Sequence, residues 1–541
     1  MRPSRLIFIC LLALVLVMAV SPFFALIRAW FQPTLHSGAF HAELLVENTL
    51  GSLQLVFSVL ALALPMALAG AWAVSRYDFP LRKVVDLSLT LPLAIPGYLL
   101  AIIYGQTLSS SGPLQVIIRE YWQLSFGEYW FPAFRSPFGA ACVLAFALYP
   151  YSYILCRAAF AAQSESMTQA ALSLGLSMRS AFWRVTMPLI RPALVAGAAL
   201  IAMETLADFG VVSLYGLPTF TTGIYRSMFG LGDSVLAIRM AGVLMLVIGA
   251  MIIIEKKSRA SQRVNNNETH NPLQRCQLTG IKGWLVCAAC WLPSLIGFYI
   301  PIMVLLAWSA HYQHYWLDPL TWSAARHSIV IATCVAAMVS VCALVLTYHT
   351  RQSSSFLVTS ALRLASLGYA LPGTVIAVCI MLPLIAFDRQ LSGLVSDITG
   401  EFQGLVITGS IFAIVFACSL RFFSLGLHSI DAGMQAITPT LDQVAQSLGA
   451  TSFDVMWRVH VPMLRSSFFI SALIVFVDTA KELPATYVLR PFNYDTLAIR
   501  AFAMASDEKY YEAAPSALLL IALGVVAMMI LGRYTSKHFA S

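Results

Sequence analysis

At 541 residues with 59% apolar and 11% charged side chains, the chain carries less than half of the roughly 25% charged share of a soluble globule. Lipid must serve as its solvent. Its net charge of +8 sits at the flanks of apolar runs and makes no case for nucleic-acid binding. One crossing of the hydrocarbon core takes about 20 apolar residues. Such runs fall near 6–28, 52–74, 86–108, 138–160, 191–209, 235–254, 284–308, 328–349, 362–386, 404–426, 468–488 and 513–532. The expectation is an all-α polytopic membrane protein with about twelve transmembrane helices in two pseudo-twofold-related halves of six. The halves are residues 1–254 and 283–541, joined by a polar, basic linker at 255–282.

Placing the N-terminus inside puts 22 of the 33 Lys and Arg on the inner side, among them Arg76, Arg82, Lys83, Arg157, Lys256, Lys257, Arg351, Arg421 and Arg458. This follows the positive-inside rule and places the C-terminus inside as well. The first span has the Arg-flanked start of a signal peptide, but it is long and lacks a clear small-x-small cleavage site, so it reads as a retained helix. Cys287 and Cys290 have CxxC spacing. They lie inside an apolar span beside Trp284 and Trp291, where thiols act as small hydrophobes.

In chain order, the third span of each half opens on a breaker, Pro96-Gly97 in LTLPLAIPGYLLAI and Pro372-Gly373 in LASLGYALPGTVIAV. Proline removes a backbone donor and glycine loosens the turn. The break is either a packing kink or a hinge lining a cavity, since irregular backbone at membrane depth survives only against protein or water. The loop 109–137 holds Tyr121, Trp122, Tyr129, Trp130 and Phe131, an interfacial aromatic belt.

After the fourth span comes QAALSLGLSMRSAFWRVTMP, Gln169 to Pro188, which recurs as QVAQSLGATSFDVMWRVHVP, Gln443 to Pro462, at a constant offset of 274. A polar repeat separated by about half the chain marks two like units fused together. In each copy a glycine, Gly175 or Gly449, supplies the corner between two short helices. The product is a helical hairpin with a knob at its tip, suited to a groove on another protein.

The fifth span brings acids into the membrane. Glu204 aligns with Asp478, Asp208 with Glu482 and Arg226 with Arg500, all at the same offset. A carboxylate at this depth costs something like 2.5–3.5 kcal/mol on insertion scales and so faces a cavity or a partner. Two readings stand: a negatively biased translocation path, or structural bridges to Lys481, Arg226 or Arg500. His311 and His314 have the spacing of a helical metal pair but lack an acidic third ligand, so an aromatic interface is the expectation and no metal site is assigned. There is no GxxxxGK[ST] in the chain, so it does not cradle a nucleotide itself, and no nucleophile–base set or cofactor site stands out.

The loop pattern, Glu-Ala-Ala, three residues, Gly, then Pro thirteen residues on, resembles the "EAA" coupling loop of permeases in ATP-binding-cassette importers. By position Ala170, Ala171, Gly175 and Pro188 match in the first half, and Ala445, Gly449 and Pro462 in the second. Gln169 and Gln443 stand where the family usually has Glu, and Val444 where it has its first Ala. The chain as a whole looks like two such permease domains fused. Within the family it is most similar to the iron(III) permeases, through ETLADFGVVSLYG, TFTTGIYRSMF, LPLAIPGYLLA and LYPYSYILCRAAF. Permeases for thiamine, putrescine or spermidine, and sulfate share much of the same skeleton.

The resemblance implies a multi-pass subunit of a bacterial inner membrane that is not itself an enzyme. Two copies of a cytoplasmic ATPase would dock on the loops at 165–190 and 439–464, and a periplasmic binding protein would deliver the cargo. Transport would proceed by alternating access, with Glu204, Asp208, Asp478 and Glu482 along the path. A secondary transporter is the rival reading, since it too is built from repeats, but its repeats do not carry the Gly-to-Pro signature.

Overall fold

A computed structural model describes residues 3–34, 38–163, 165–260, 275–352, 356–399 and 407–539. The linker reading falls largely on residues 261–274, outside that set. The first half runs α1 (Pro3–Trp30), α2 (Gly38–Arg76), α3 (Arg82–Ser88), α4 (Gly97–Thr107), α5 (Pro113–Trp122), α6 (Pro137–Ala161), α7 (Glu165–Ser173), α8 (Met178–Ala181), α9 (Met187–Ala207), α10 (Gly210–Leu214), α11 (Phe220–Tyr225) and α12 (Ser234–Ala260). The second runs α13 (Gly280–Ser294), α14 (Ile300–His311), α15 (Pro319–Gln352), α16 (Phe356–Ser366), α17 (Gly373–Thr399) and α18 (Ile411–Gln435). It continues with α19 (Pro439–Ser447), α20 (Ser452–Val455), α21 (Val461–Lys481), α22 (Pro484–Leu489), α23 (Leu497–Ser506) and α24 (Tyr510–Phe539).

Among the described residues, eleven helices are long and apolar enough to cross a membrane. A twelfth crossing comes from a broken pair, Arg82–Ala94 and Gly97–Thr107, bent by 91° at Pro96-Gly97. The fold is thus the expected all-α polytopic one. The only strands among the described residues are two-residue pieces, β1 (Tyr77–Asp78) and β2 (Cys276–Gln277), paired in parallel so that the end of α2 is tied to the start of the second half.

The first helix of each half packs on the other half. Val15, Met18 and Ala19 of α1 share a buried cluster with residues of α15 to α18, such as Ile331, Val358, Ile376 and Ile414. Conversely Cys287 and Cys290 of α13 and Leu305 and Trp308 of α14 lie in the cluster built on α2, α4 and α6. The CxxC pair is therefore buried packing, as expected.

Two local features follow from the repeated sequence. Before Pro188 and Pro462 the helix widens into a π turn, Phe182–Thr186 and Met456–His460. A proline has no N–H to return to the carbonyl four residues back. The ladder slips by one, Met187 N–H donating to Phe182 O and Val461 N–H to Met456 O, and the WRV…P pattern becomes a π bulge.

The second feature is a close crossing of the fourth and fifth spans. Ser152 of α6 faces Gly197 of α9, where an added Cβ would lie 2.5 Å from Ser152 Oγ and 2.7 Å from its Cα. At the offset of 274 the pair is reversed: Gly426 of α18 faces Ser471 of α21, an added Cβ meeting Ser471 Oγ at 3.0 Å and Val339 Cγ1 at 2.5 Å. Each crossing holds one glycine and one serine, in opposite order. Small residues let helices approach closely in lipid. Gly197→Ser alone is expected to destabilise the purified protein by roughly 1–3 kcal/mol through overpacking, while Ser152→Gly with Gly197→Ser, which copies the other half, recovers most of the loss in a thermal melt.

Candidate functional site

The repeated loops are helix corners of one geometry. Gly175 and Gly449 have φ of 84° and 86°, and no atom lies within 4 Å of a Cβ built on either. Glycine is needed here for the backbone angle alone. Leu176 N–H donates to Ala171 O (3.1 Å) and Gly175 N–H to Leu172 O (3.0 Å). Likewise Ala450 N–H donates to Ala445 O (3.1 Å) and Gly449 N–H to Gln446 O (2.9 Å). These are the two bonds of a Schellman cap, so the Ala-to-Gly spacing of the repeat is the spacing of that cap.

The next helix starts at once. Ser177 Oγ accepts from Ser180 N–H, and Thr451 and Asp454 form a capping box. The corner thrusts Leu174 and Leu448 outward, 85% and 83% exposed. Trp183, Trp457 and Val444 are exposed beside them, as are Gln169 and Gln443.

The two loops differ beneath the surface. Asp442 of α19 accepts from Arg351 Nε at 2.8 Å and lies 2.5 Å from Nε2 of the fully buried His460. Arg351 Nη1 also donates to Met434 O. Burial opposes the charge on Asp442, but the bonds from Arg351 and His460 outweigh it and hold the carboxyl below the ordinary range. In the first half Thr168 and Thr186 stand at the positions of Asp442 and His460. The second loop is thus pinned to α15 by charge.

The four membrane acids come together around one cavity of about 170 Å³ between the halves, where about 10–15 Å³ suffices for a water. Its wall includes both breakers' surroundings, Pro96, Gly97 and Tyr98 on one side and Glu482, Leu483 and Pro484 on the other, with Glu204, Asp208 and Asp478. Asp208 follows α9 and caps α10: Oδ2 accepts from Val211 and Val212 N–H at 3.0 and 3.2 Å. Glu482 follows α21 and caps α22, Oε1 accepting from Ala485 N–H at 3.1 Å. Each acid meets orphan donors at a helix start.

Here the halves diverge again. Glu482 also accepts from Arg421 Nη1 at 2.5 Å, both side chains nearly buried. Arg421 was expected among the inner-side cations; it instead sits mid-helix in α18, facing the cavity. Sequence reading missed it because a lone Arg in an apolar run looks like a span end. Its counterpart in α6 at the same offset is Ala147. Tyr369, also unforeseen, donates to Glu204 Oε1 at 3.2 Å, and Lys481 sits 3.5 Å from Asp478 and donates to Leu93 O.

The alignment of Arg226 with Arg500 does not hold in space. Thr219 and Thr496 cap equivalent short helices, and the next residues, Phe220 and Leu497, take hydrogen bonds from their N–H to Ser52 and Ser328. The second half has three more residues before this helix, so Arg500 falls opposite Gly223. Arg500 is buried against Asp318 and Thr321, and Arg226 is exposed. Neither bridges the four acids. Among the described residues no three His, Cys, Asp or Glu side chains converge to hold a metal ion.

The breakers are fitted to the acids. A Cβ on Gly373 would lie 2.4 Å from both Arg421 Nη1 and Glu482 Oε1, whereas one on Gly97 would lie 3.3 Å from Leu144 and Val211 and 4.0 Å from Asp208. Gly373→Ala is therefore expected to part the ion pair and lower stability by about 1–3 kcal/mol, with Gly97→Ala markedly milder in the same melt. At the corners, Gly175→Ala and Gly449→Ala meet no atoms and carry only the left-handed strain, about 1–2 kcal/mol. Amide exchange at Leu176 and Ala450 should then quicken about five- to thirtyfold.

Residues 60–255 match the family of binding-protein-dependent transport system inner membrane components. Over that stretch the chain resembles the membrane component of binding-protein-dependent importers. It is 25% identical to the Fe(3+)-transport system permease protein FbpB 2 of Haemophilus influenzae, over 86% of each chain. It is 21% identical to the ferric transport system permease protein FbpB of Actinobacillus pleuropneumoniae, over 82% of this chain and 64% of that one. The molybdenum transport system permease protein ModB of Escherichia coli is 28% identical over 35% of this chain and 77% of its own length.

Proposed function

We propose that this chain is a two-domain permease of a ferric-ion importer, with units at 1–254 and 283–541, both termini cytoplasmic, and ATP hydrolysis carried out on separate subunits. The observation that carries the reading is the pair of Schellman corners at Gly175 and Gly449, each holding out an exposed leucine. An apolar knob on a rigid corner, present twice, fits a groove on each of two ATPase copies. Closure of the ATPase dimer pulls both corners together, the halves rock about their pseudo-twofold axis, and the cavity between them opens to a periplasmic binding protein. Hydrolysis resets the inward state. Gln169, Ala170, Ala171 and Pro188, with Gln443, Ala445 and Pro462, frame the two contacts, and Pro96-Gly97 and Pro372-Gly373 give way at the break.

Ferric cargo is favoured by two things. The relatives covering most of the chain are named for Fe(3+) or ferric transport, and the cavity wall sets four carboxylates against two cations, the balance suited to a hard cation. A sulfate- or molybdate-type anion would call for the opposite excess. The test is uptake of radiolabelled ferric ion in cells bearing this gene with its ATPase and binding-protein genes. Uptake should vanish in the Gly175→Asp, Gly449→Asp double variant while the protein remains in the membrane. Normal uptake in that variant would remove the coupling role, and unchanged uptake on deleting the gene would remove iron.

A further inference from the structure

We infer that Arg421 is a resident counter-cation of the cavity: in the empty permease its guanidinium takes the place of cationic cargo, and cargo passes by displacing it. This rests on the reading that the four acids line the cargo path.

The guanidinium is placed for exchange rather than for permanent bracing. Nη1 donates to Glu482 Oε1, yet Nε is buried with no hydrogen-bond partner. A bracing arginine uses its fork of donors, and bidentate carboxylate pairing is its strong mode. The stem lies along Phe422, whose ring centroid is 5.5 Å from Cζ, a contact that can hold a cation when it leaves its carboxylate. Glu204 lines the same cavity. Tyr98 also lines the cavity, and its buried hydroxyl has no hydrogen-bond partner.

The physical reason for such a device is release. A path must bind its ion well enough to admit it and weakly enough to let it leave. Carboxylates around a buried cavity would trap a trivalent cation, and a tethered monovalent cation competing for Glu482 and Glu204 prevents that. Among the described residues the acids do not converge on a point that could hold a metal ion. The first half, with Ala147 at this position, supplies no second counter-cation.

The experiment uses the detergent-purified full chain and terbium(III), whose luminescence is excited through Tyr98, Tyr151 and Tyr369 in the cavity wall. Arg421→Met and Arg421→Gln should each bind terbium at least tenfold more tightly than wild type. Arg421→Lys, which keeps the charge, should not, and adding Glu482→Gln to Arg421→Met should cancel the gain. A neutral variant that melts like wild type yet binds terbium no more tightly overturns the proposal, as does a Lys variant that behaves like Met. Should neither neutral variant fold, Glu204→Gln in the otherwise native chain decides: it should weaken terbium binding, and no change overturns the proposal. A tenfold gain in terbium binding alongside absent ferric uptake by wild type would reject iron as cargo and keep the counter-cation.

Discussion

The structure turns on what a carboxylate does once it is carried into lipid. It cannot remain without a partner, and the number of partners available there is small: a helix start, a cation, or an enclosed polar space. This chain uses all three at one place. Asp208 and Glu482 end the long fifth spans and cap the short helices that follow. The broken third spans bring glycine backbone against those caps, and the space left between them is the cavity. The bend at Pro96-Gly97, the short α10 and α22, and the meeting of the halves are parts of one solution.

That solution is only half symmetrical. The backbone and the four acids repeat, down to the Schellman bonds and the π turns, but the groups that face the acids do not. Arg421, Lys481 and Tyr369 stand where the first half has Ala147, Ala207 and Leu93. The ion-paired pin under the second loop is likewise missing its acid and its histidine in the first. A fused chain is free to do this, because each half can specialise without its copy changing with it. Both halves then supply shape and acids, and one of them adds the cations of the cavity wall.

Much of this was legible from residues alone, and for identifiable reasons. Long apolar runs mark spans because lipid tolerates little else, and the loop glycines stand out because a left-handed corner admits few other residues. The four acids were visible because charge in an apolar run is costly. What escaped was whatever depended on geometry across the fold. Arg421 looks like any basic residue near a span end until α18 is seen to run past it. The helix α5 lay hidden in a loop read for its aromatic residues. The slip that sets Arg500 opposite Gly223 comes from three added residues, which a constant offset cannot register. The exchange of Ser152 and Gly197 for Gly426 and Ser471 is written in the sequence but has meaning only once the helices are seen to cross.

The crossing-over of α1 and of α13 with α14 has a consequence for how such a molecule comes to exist. Each half lends its first helix to the other's core, so neither owns a complete interior. A polypeptide severed between the halves would still have to be made as two matched pieces and interlocked, and an orphan piece would present a bare seam to the bilayer. Fusion into one chain guarantees the stoichiometry that this exchange of helices demands, and it keeps either half from pairing with its own twin.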